Sequence, residues 1–257
     1  MRAHRHWIVT LVVASIFVVV VSAFPARAAA PVESKDGWEF DIVPYLWGAG
    51  LEGNVQIGRV PATSVQASFS DVWDYLNIGG MVAFEARKGN WGVLIDGIYI
   101  DLEDSMPTPD PAFDGVNASM TQQLYSGLIT YRMCNARNTT VDFGFGTRYY
   151  DIATDLELTP GLAPGRSASA SVDWWDWLVG VRVVGHPSKR WSLSGYADIG
   201  GGGSQMTWEA VAGADFAFNK TVSLAFGYRY LSIDYDENRF LYDVSMQGPY
   251  LGLGFHF

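Results

Sequence analysis

Strict alternation governs this chain. In Val141-Asp142-Phe143-Gly144-Phe145-Gly146-Thr147-Arg148-Tyr149, one parity reads Val, Phe, Phe, Thr, Tyr and the other Asp, Gly, Gly, Arg. Only a strand sends successive side chains to opposite faces. The split recurs as Trp38/Phe40/Ile42 against Glu39/Asp41, and as Val82/Phe84 against Ala83/Glu85/Arg87. It returns in Tyr125/Ile129/Tyr131 against Ser126/Thr130/Arg132, and in Trp177/Val179/Val181/Val183 against Asp176/Gly180/Arg182. Leu193/Ala197/Ile199 opposes Ser192/Ser194/Asp198, and Leu224/Phe226/Tyr228/Tyr230 opposes Ser223/Gly227/Arg229.

Punctuation between these runs is asymmetric. Short polar turns stand at Lys88-Gly89-Asn90, Asn135 to Asn138, His186 to Lys189 and Asn219-Lys220. Longer segments stand at 58–77, 105–116 and 159–167. Short turns on one side and long loops on the other fit a transmembrane antiparallel up-and-down β-barrel with its turns in the periplasm. The expected class is all-β, with strands at 38–57, 78–88, 91–104, 117–134, 140–158, 168–186, 191–202, 206–219, 221–236 and 240–257. That makes ten strands. Stretch 62–69 offers a further hairpin and a count of twelve; Gly200 to Gly203, read as strand interior, would give eight. Several strands exceed the ~9–11 residues a crossing needs and should project beyond the bilayer.

A water-soluble sandwich or lipocalin-like barrel would alternate too, with its apolar parity inward. Two features oppose it. The polar parity is nearly free of Lys and rich in Gly, Ser, Asp and Arg, which suits an enclosed lumen better than a solvated face. Aromatics gather near strand ends, at Trp38, Trp47, Trp91, Tyr149, Trp174, Trp175, Trp177, Trp191, Trp208, Tyr228 and Tyr230, as in interfacial girdles.

The start of the chain implies export. Arg2 and Arg5 precede an almost wholly apolar run from Ile8 to Val21, and Ala26-Arg27-Ala28 has the small-x-small exit of a signal peptide. Cleavage after Ala28 leaves a short periplasmic segment, 29–37, before a barrel domain over 38–257. A retained membrane anchor is the competing reading. Removing residues 1–28 takes three Arg and no acid, leaving 14 basic and 27 acidic residues and a formal charge of −13. Such acidity argues against a nucleic-acid partner. The single Cys134 excludes a disulfide framework and reads as a passive small apolar residue.

The end of the chain is as informative. Leu251-Gly252-Leu253-Gly254-Phe255-His256-Phe257 alternates and stops on Phe257. Leu251, Leu253, Phe255 and Phe257 resemble the signal by which bacterial outer-membrane proteins are handed to their assembly machinery. The run Val43-Pro44-Tyr45-Leu46-Trp47-Gly48-Ala49-Gly50-Leu51-Glu52-Gly53 is similar to the start of a widespread family of small proteobacterial outer-membrane β-barrel proteins. The likeness continues through Ala83-Phe84-Glu85-Ala86-Arg87, Trp91-Gly92-Val93-Leu94-Ile95-Asp96, Tyr196-Ala197-Asp198-Ile199-Gly200-Gly201, Tyr228-Arg229-Tyr230-Leu231 and Gly248-Pro249-Tyr250-Leu251-Gly252-Leu253. Asp173-Trp174-Trp175-Asp176-Trp177 departs from the Asp-Pro pattern expected there. The resemblance implies the fold and outer-membrane localisation; it implies no activity. Outer-membrane lipids, lipopolysaccharide, the barrel-assembly machinery and periplasmic chaperones are the expected partners, with the oligomeric state open.

By parity the inward carboxylates are Glu39, Asp41, Glu85, Asp96, Asp142, Asp176, Asp198, Glu209 and Asp215, and the inward cations are Arg87, Arg132, Arg148, Arg182 and Arg229. Residues equidistant from a hairpin turn face each other, which sets Arg132 against Asp142 and brings Arg229 near Glu209. One reading is structural filling, as narrow barrels require. The other is a narrow passive path for small solutes, preferring cations because acids are in excess. A loop-based binding or adhesion role is a further alternative.

An outer-membrane enzyme acting on lipids or peptides is the last alternative, and it is not expected. The mature chain has only His186 and His256, one in a short turn and the other penultimate, both far from the outer leaflet. The rim carboxylates Asp101, Glu103, Asp104, Asp155, Asp234, Asp236 and Glu237 read as solvated loop charge, open to bridging by divalent cations to lipopolysaccharide phosphates. No catalytic residue, cofactor site or metal site is assigned. In loop 58–77, Ser70 is expected to cap a short helix with Asp71 in its first turn. Trp73, Tyr75 and Leu76 would rest on the membrane surface or over the barrel mouth, a packed loop being preferred.

Overall fold

The computed structural model describes residues 37–57, 62–106, 113–136, 138–237 and 240–257. The signal-peptide reading and most of segment 29–37 fall outside these residues. Strands run in chain order as β1 (Trp38–Trp47), β2 (Gly50–Ile57) and β3 (Thr63–Ala67), then helix α1 (Phe69–Asp74). There follow β4 (Leu76–Lys88), β5 (Trp91–Met106), β6 (Phe113–Ala136), β7 (Thr139–Pro160) and β8 (Arg166–Gly185). β9 (Trp191–Gly202), β10 (Met206–Ala217), β11 (Val222–Glu237) and β12 (Phe240–His256) complete the chain.

Ten of these strands close a ring. β1 pairs with β4, β4 to β12 pair in sequence, and β12 returns to β1 with Asp41 against His256 and Leu46 against Leu251, all antiparallel. β2 continues β1 after a break at Gly48-Ala49 and stays on β12, with Leu51 against Met246. β3 adds a hairpin on β2 without entering the ring. The expected strand 38–57 is therefore one interrupted run, and the extra hairpin at 62–69 leaves the ring at ten. Gly203 to Gln205 link β9 to β10 as a turn. At Lys88-Gly89-Asn90 the reversal is tight, and Gly89 takes φ 58°, which glycine adopts without steric cost.

Outward faces carry an apolar belt. On β7 it runs from Val141 to Tyr149; Phe143 and Phe145 are more than half exposed. Trp175, Trp177 and Val179 continue it on β8, Ile129 and Tyr131 on β6, and Leu251 and Leu253 on β12. Cross-strand rings knit it: Trp91 with Tyr131 at 4.8 Å, Phe145 with Trp177 at 5.6 Å, Tyr149 with Trp175 at 4.8 Å and Trp208 with Tyr230 at 4.6 Å. The belt spans nine residues of β7, about the length needed to cross a bilayer.

Beyond Tyr149 the polarity of β7 inverts. Its outward residues become Asp151 and Asp155, while inward Arg148 gives way to Tyr150 and Ile152. Around the loop-side half of the ring, Trp47, Ile98, Leu124, Trp174, Leu231, Ile233, Tyr235, Tyr242, Val244 and Met246 form one buried core with them. Trp174 stacks on Tyr235 at 4.1 Å and on Tyr150 at 4.7 Å, and its Nε1–H donates to Ser204 Oγ at 2.8 Å. Trp47 and Trp174 thus belong to the interior, a correction to their place in an interfacial girdle. The reason is burial: where the outward residues of the ring turn polar, its apolar side chains are more stable packed inside.

Candidate functional site

The turn-side half of the lumen holds the charged residues. Two networks fill it. In the first, Asp142 receives Arg132 Nε at 2.8 Å, Arg87 Nη2 at 2.8 Å and Arg182 Nη2 at 2.9 Å. Glu85 takes both Arg182 Nη1 and Nη2 at 2.6 Å. Three guanidiniums meet two carboxylates. In the second, Arg148 Nη2 donates to Asp198 at 2.6 Å and to Glu209 at 2.7 Å, and Arg148 Nε donates to Ser126 at 2.8 Å. Arg229 Nη2 reaches Asp96 at 3.0 Å, its Nε lies 2.9 Å from Glu209, and its guanidinium sits 4.9 Å from the Trp47 ring centroid. Tyr45 and Tyr196 hydroxyls donate to Asp96 and Asp198 at 2.8 and 2.6 Å. Here two guanidiniums meet three carboxylates, so the networks together are formally neutral.

Hairpin register explains most of this. Arg132 faces Asp142, which faces Arg182, across β6, β7 and β8. The links from Arg182 to Glu85 and from Arg148 to Glu209 cross the barrel and depend on its closure. Four of the nine inward carboxylates lie outside the networks. Glu39 is exposed at the turn-side rim. Asp41 bonds His256. Asp215 is half-buried beside a lumen cavity. Asp176 is fully buried; its Oδ1 accepts Ser204 N–H at 2.8 Å, while Oδ2 has no hydrogen-bond partner. The sequence's excess of acid therefore does not line a continuous path.

The cavity, of about 230 Å³, lies between the networks. Val43, Leu94, Leu128 and Val211 give it apolar wall, and Asp96, Glu209, Asp215, Arg148, Arg182 and Arg229 give it charge of both signs. Above it the buried Arg148, Tyr150, Leu231 and Ile233 occupy the lumen.

One grouping escaped the sequence reading. Ser223 Oγ stands 2.9 Å from His256 Nε2, and His256 Nδ1 stands 2.5 Å from Asp41 Oδ1, at the turn-side mouth. The parity of β1, β11 and β12 carries the signal, since it turns Asp41, Ser223 and His256 inward together. His186 meets Ser192 at 2.9 Å with no carboxylate bonded to it among the described residues; burial and then Arg132 hold its pKa below the ordinary value.

The loop 68–75 packs against the outer face of β2 and β3 rather than over the mouth. Phe69 sits 3.3 Å from the space a Cβ on Gly48 would fill. Ser68, not Ser70, caps α1: Asp71 Oδ2 accepts Ser68 N–H and Oγ–H at 2.7 Å each. These two bonds hold the Asp71 carboxyl below the usual carboxylate range. At the loop-side rim, Asp101 accepts from Asn77 at 2.9 Å and Thr121 at 3.1 Å. Asp234 opposes Asp243 across the ladder; burial, then Asp243, raises its pKa. Among the described residues no group of three or more His, Cys, Asp or Glu is placed to hold a metal ion.

No protein-family model matches the chain. No curated protein matches it either. Solved structures do. The outer membrane protease OmpT of Escherichia coli is 8% identical, with a TM-score of 0.48, over 88% of this chain and 99% of that one. The attachment invasion locus protein Ail of Yersinia pestis, solved with sucrose octasulfate, is 10% identical, with a TM-score of 0.39, over 87% and 100%. The neisserial surface protein NspA is 11% identical, with a TM-score of 0.32, over 85% and 98%. At these depths nothing about activity transfers, and the fold rests on the strand pairing itself. That pairing makes the chain a closed, ten-stranded antiparallel β-barrel.

Proposed function

We propose that the protein is an integral outer-membrane β-barrel with an occluded lumen and a structural role in the envelope. The observation that carries this is the pairing of an outward apolar belt with an interior filled by ion pairs below and aromatic core above. Such a belt is unfavourable in water and favourable in lipid. The filled interior leaves a narrow passive path as the weaker form of the same reading, and this reading gives the wall and the networks no catalytic part.

Planar-bilayer recording of the detergent-folded chain tests it. The expected result is insertion with no stable conductance step. A stable open channel in the wild-type protein, shifted by Asp96→Asn, would replace occlusion with conduction. A chain that stays monodisperse in buffer without detergent would overturn the membrane reading altogether.

Surface binding by the projecting strands has one supporting observation. Eleven residues of β7, Tyr150 to Pro160, extend past the belt, about 35 Å along the strand. A polar outer wall of that height suits contact with other envelope or surface molecules.

A further inference from the structure

We propose that Ser223, His256 and Asp41 form an acyl-transfer site at the turn-side mouth of the barrel, acting on short-chain acyl esters. The inference goes beyond the occluded-barrel reading and does not depend on it.

Chemistry fixes the direction of the chain of hydrogen bonds. An ionised carboxylate only accepts, so Asp41 calls the imidazole proton to His256 Nδ1. The neutral ring then has Nε2 as its acceptor, and Ser223 Oγ–H donates to it. Nucleophile, base and orienting carboxylate are in line at 2.9 and 2.5 Å, within the reach such a relay needs. A lock between strands would require only the pair of Asp41 and His256. The serine on the far nitrogen is the additional element.

Three neighbouring strands supply the three residues because the barrel closes there. Asp41 on β1 lies directly opposite His256 on β12, and Ser223 on β11 lies opposite Gly254. The imidazole reaches Ser223 diagonally past Gly254. A Cβ at Gly254 would stand 2.4 Å from Ser223 Oγ and 3.3 Å from His256 Nε2, so only glycine leaves that approach open. Asp41 and His256 side chains are 41% and 37% exposed at the mouth, while Ser223 is 2% exposed behind them, so an ester reaches Ser223 Oγ only past the His256 ring.

A pocket for the acyl group adjoins the relay. One inward residue further along their strands, Val43 follows Asp41 and Ala225 follows Ser223, and both line the 230 Å³ cavity. Its apolar wall suits a short acyl chain and its volume excludes a long one. Arg182 also lines it, with its Nη atoms on Glu85 and Asp142 and its buried Nε without a hydrogen-bond partner.

The reaction balances with water as the only co-reactant. Ser223 Oγ bonds to the ester carbonyl carbon as its proton passes to His256 Nε2. The carbon–oxygen bond to the alcohol breaks, and the leaving alkoxide takes the proton from Nε2. Water then gives a proton to Nε2 and bonds to the acyl carbon. Ser223 Oγ leaves with that proton, releasing the carboxylic acid. Ser223 and His256 are the catalytic residues; Asp41 is a positioning residue.

The test uses the full chain folded in detergent, treated with a fluorophosphonate and, separately, with p-nitrophenyl acetate, butyrate and octanoate. The expected result is one phosphonyl adduct on Ser223 by mass spectrometry and none on Ser192, whose histidine lacks a carboxylate. Acetate and butyrate esters should turn over faster than octanoate. Ser223→Ala should abolish both readouts. Asp41→Asn should lower kcat by about 10²–10⁴-fold with KM nearly unchanged and heat-modifiable gel mobility retained. Absence of a Ser223 adduct on the folded wild-type chain overturns the proposal, whatever the variants do. Hydrolysis equal in wild type and Ser223→Ala overturns it as well.

Discussion

Arg148→Met probes what the charged networks contribute. Arg148 is 1% exposed and bonds Asp198, Glu209 and Ser126 at 2.6, 2.7 and 2.8 Å. Removing it does not strand both acids equally. Glu209 keeps Arg229 at 2.9 Å, whereas Asp198 keeps only the Tyr196 hydroxyl. One buried carboxylate is left without a cation, and breaking a buried pair on one side costs about 3–5 kcal/mol. Urea slopes of roughly 1–3 kcal/mol/M turn about 4 kcal/mol into a midpoint lower by about 2 M. The assay is reversible urea unfolding of vesicle-reconstituted protein, followed by tryptophan fluorescence. Arg148→Met/Asp198→Asn removes the stranded charge and should recover at least half of the loss. A single variant costing under about 1 kcal/mol, or a double variant no better than the single, would show that packing, not charge compensation, holds this layer.

Other outcomes follow from the same geometry. Phe145 lies mid-belt and 55% exposed, so Phe145→Arg should cost about 2–4 kcal/mol in lipid vesicles, as expected near the bilayer midplane. A neutral result would place that face in water. Trp174→Ala empties the centre of the aromatic core, costs about 3–5 kcal/mol by the same urea assay, and should introduce flickering conductance absent from the wild type. Silent bilayers would mean that the charged layer alone seals the lumen. The Asp71 carboxyl is held below the ordinary 3.8, so the α1 cap persists above that pH and is lost as pH falls through the depressed value. The Ser68 amide resonance should report this titration, and Ser68→Ala should return Asp71 toward its ordinary value. An unmoved midpoint would remove Ser68 from the cap.

Much of the architecture was legible because alternation has a single structural meaning. The turns at Gly89 and Asn219-Lys220 announced themselves through residue type, and strand ends followed within a few positions. The pair Arg132–Asp142 could be read from distance to the turn alone. The helix cap was misplaced by two residues because Ser68 and Ser70 are equally good caps on paper, and Ser68 won by accepting a reciprocal bond from Asp71 N–H at 3.4 Å. The inward turn of Trp47 and Trp174 was also written in the chain. At Tyr149-Tyr150 the apolar residues change parity, where the proposed membrane reading has lipid give way to water, but treating each strand as one uniform face passes over the switch.

The sequence by itself determined the strands, their hairpin neighbours and which parity is greasy, because these follow from a two-residue repeat and short-range turn chemistry. Only the tertiary structure decided which carboxylate meets which guanidinium across the lumen, and that Asp41, Ser223 and His256 share one corner. Closure joins the first strand to the last, and contacts made across that seam and across the barrel depend on strand stagger and side-chain reach. Neither quantity is encoded in local spacing.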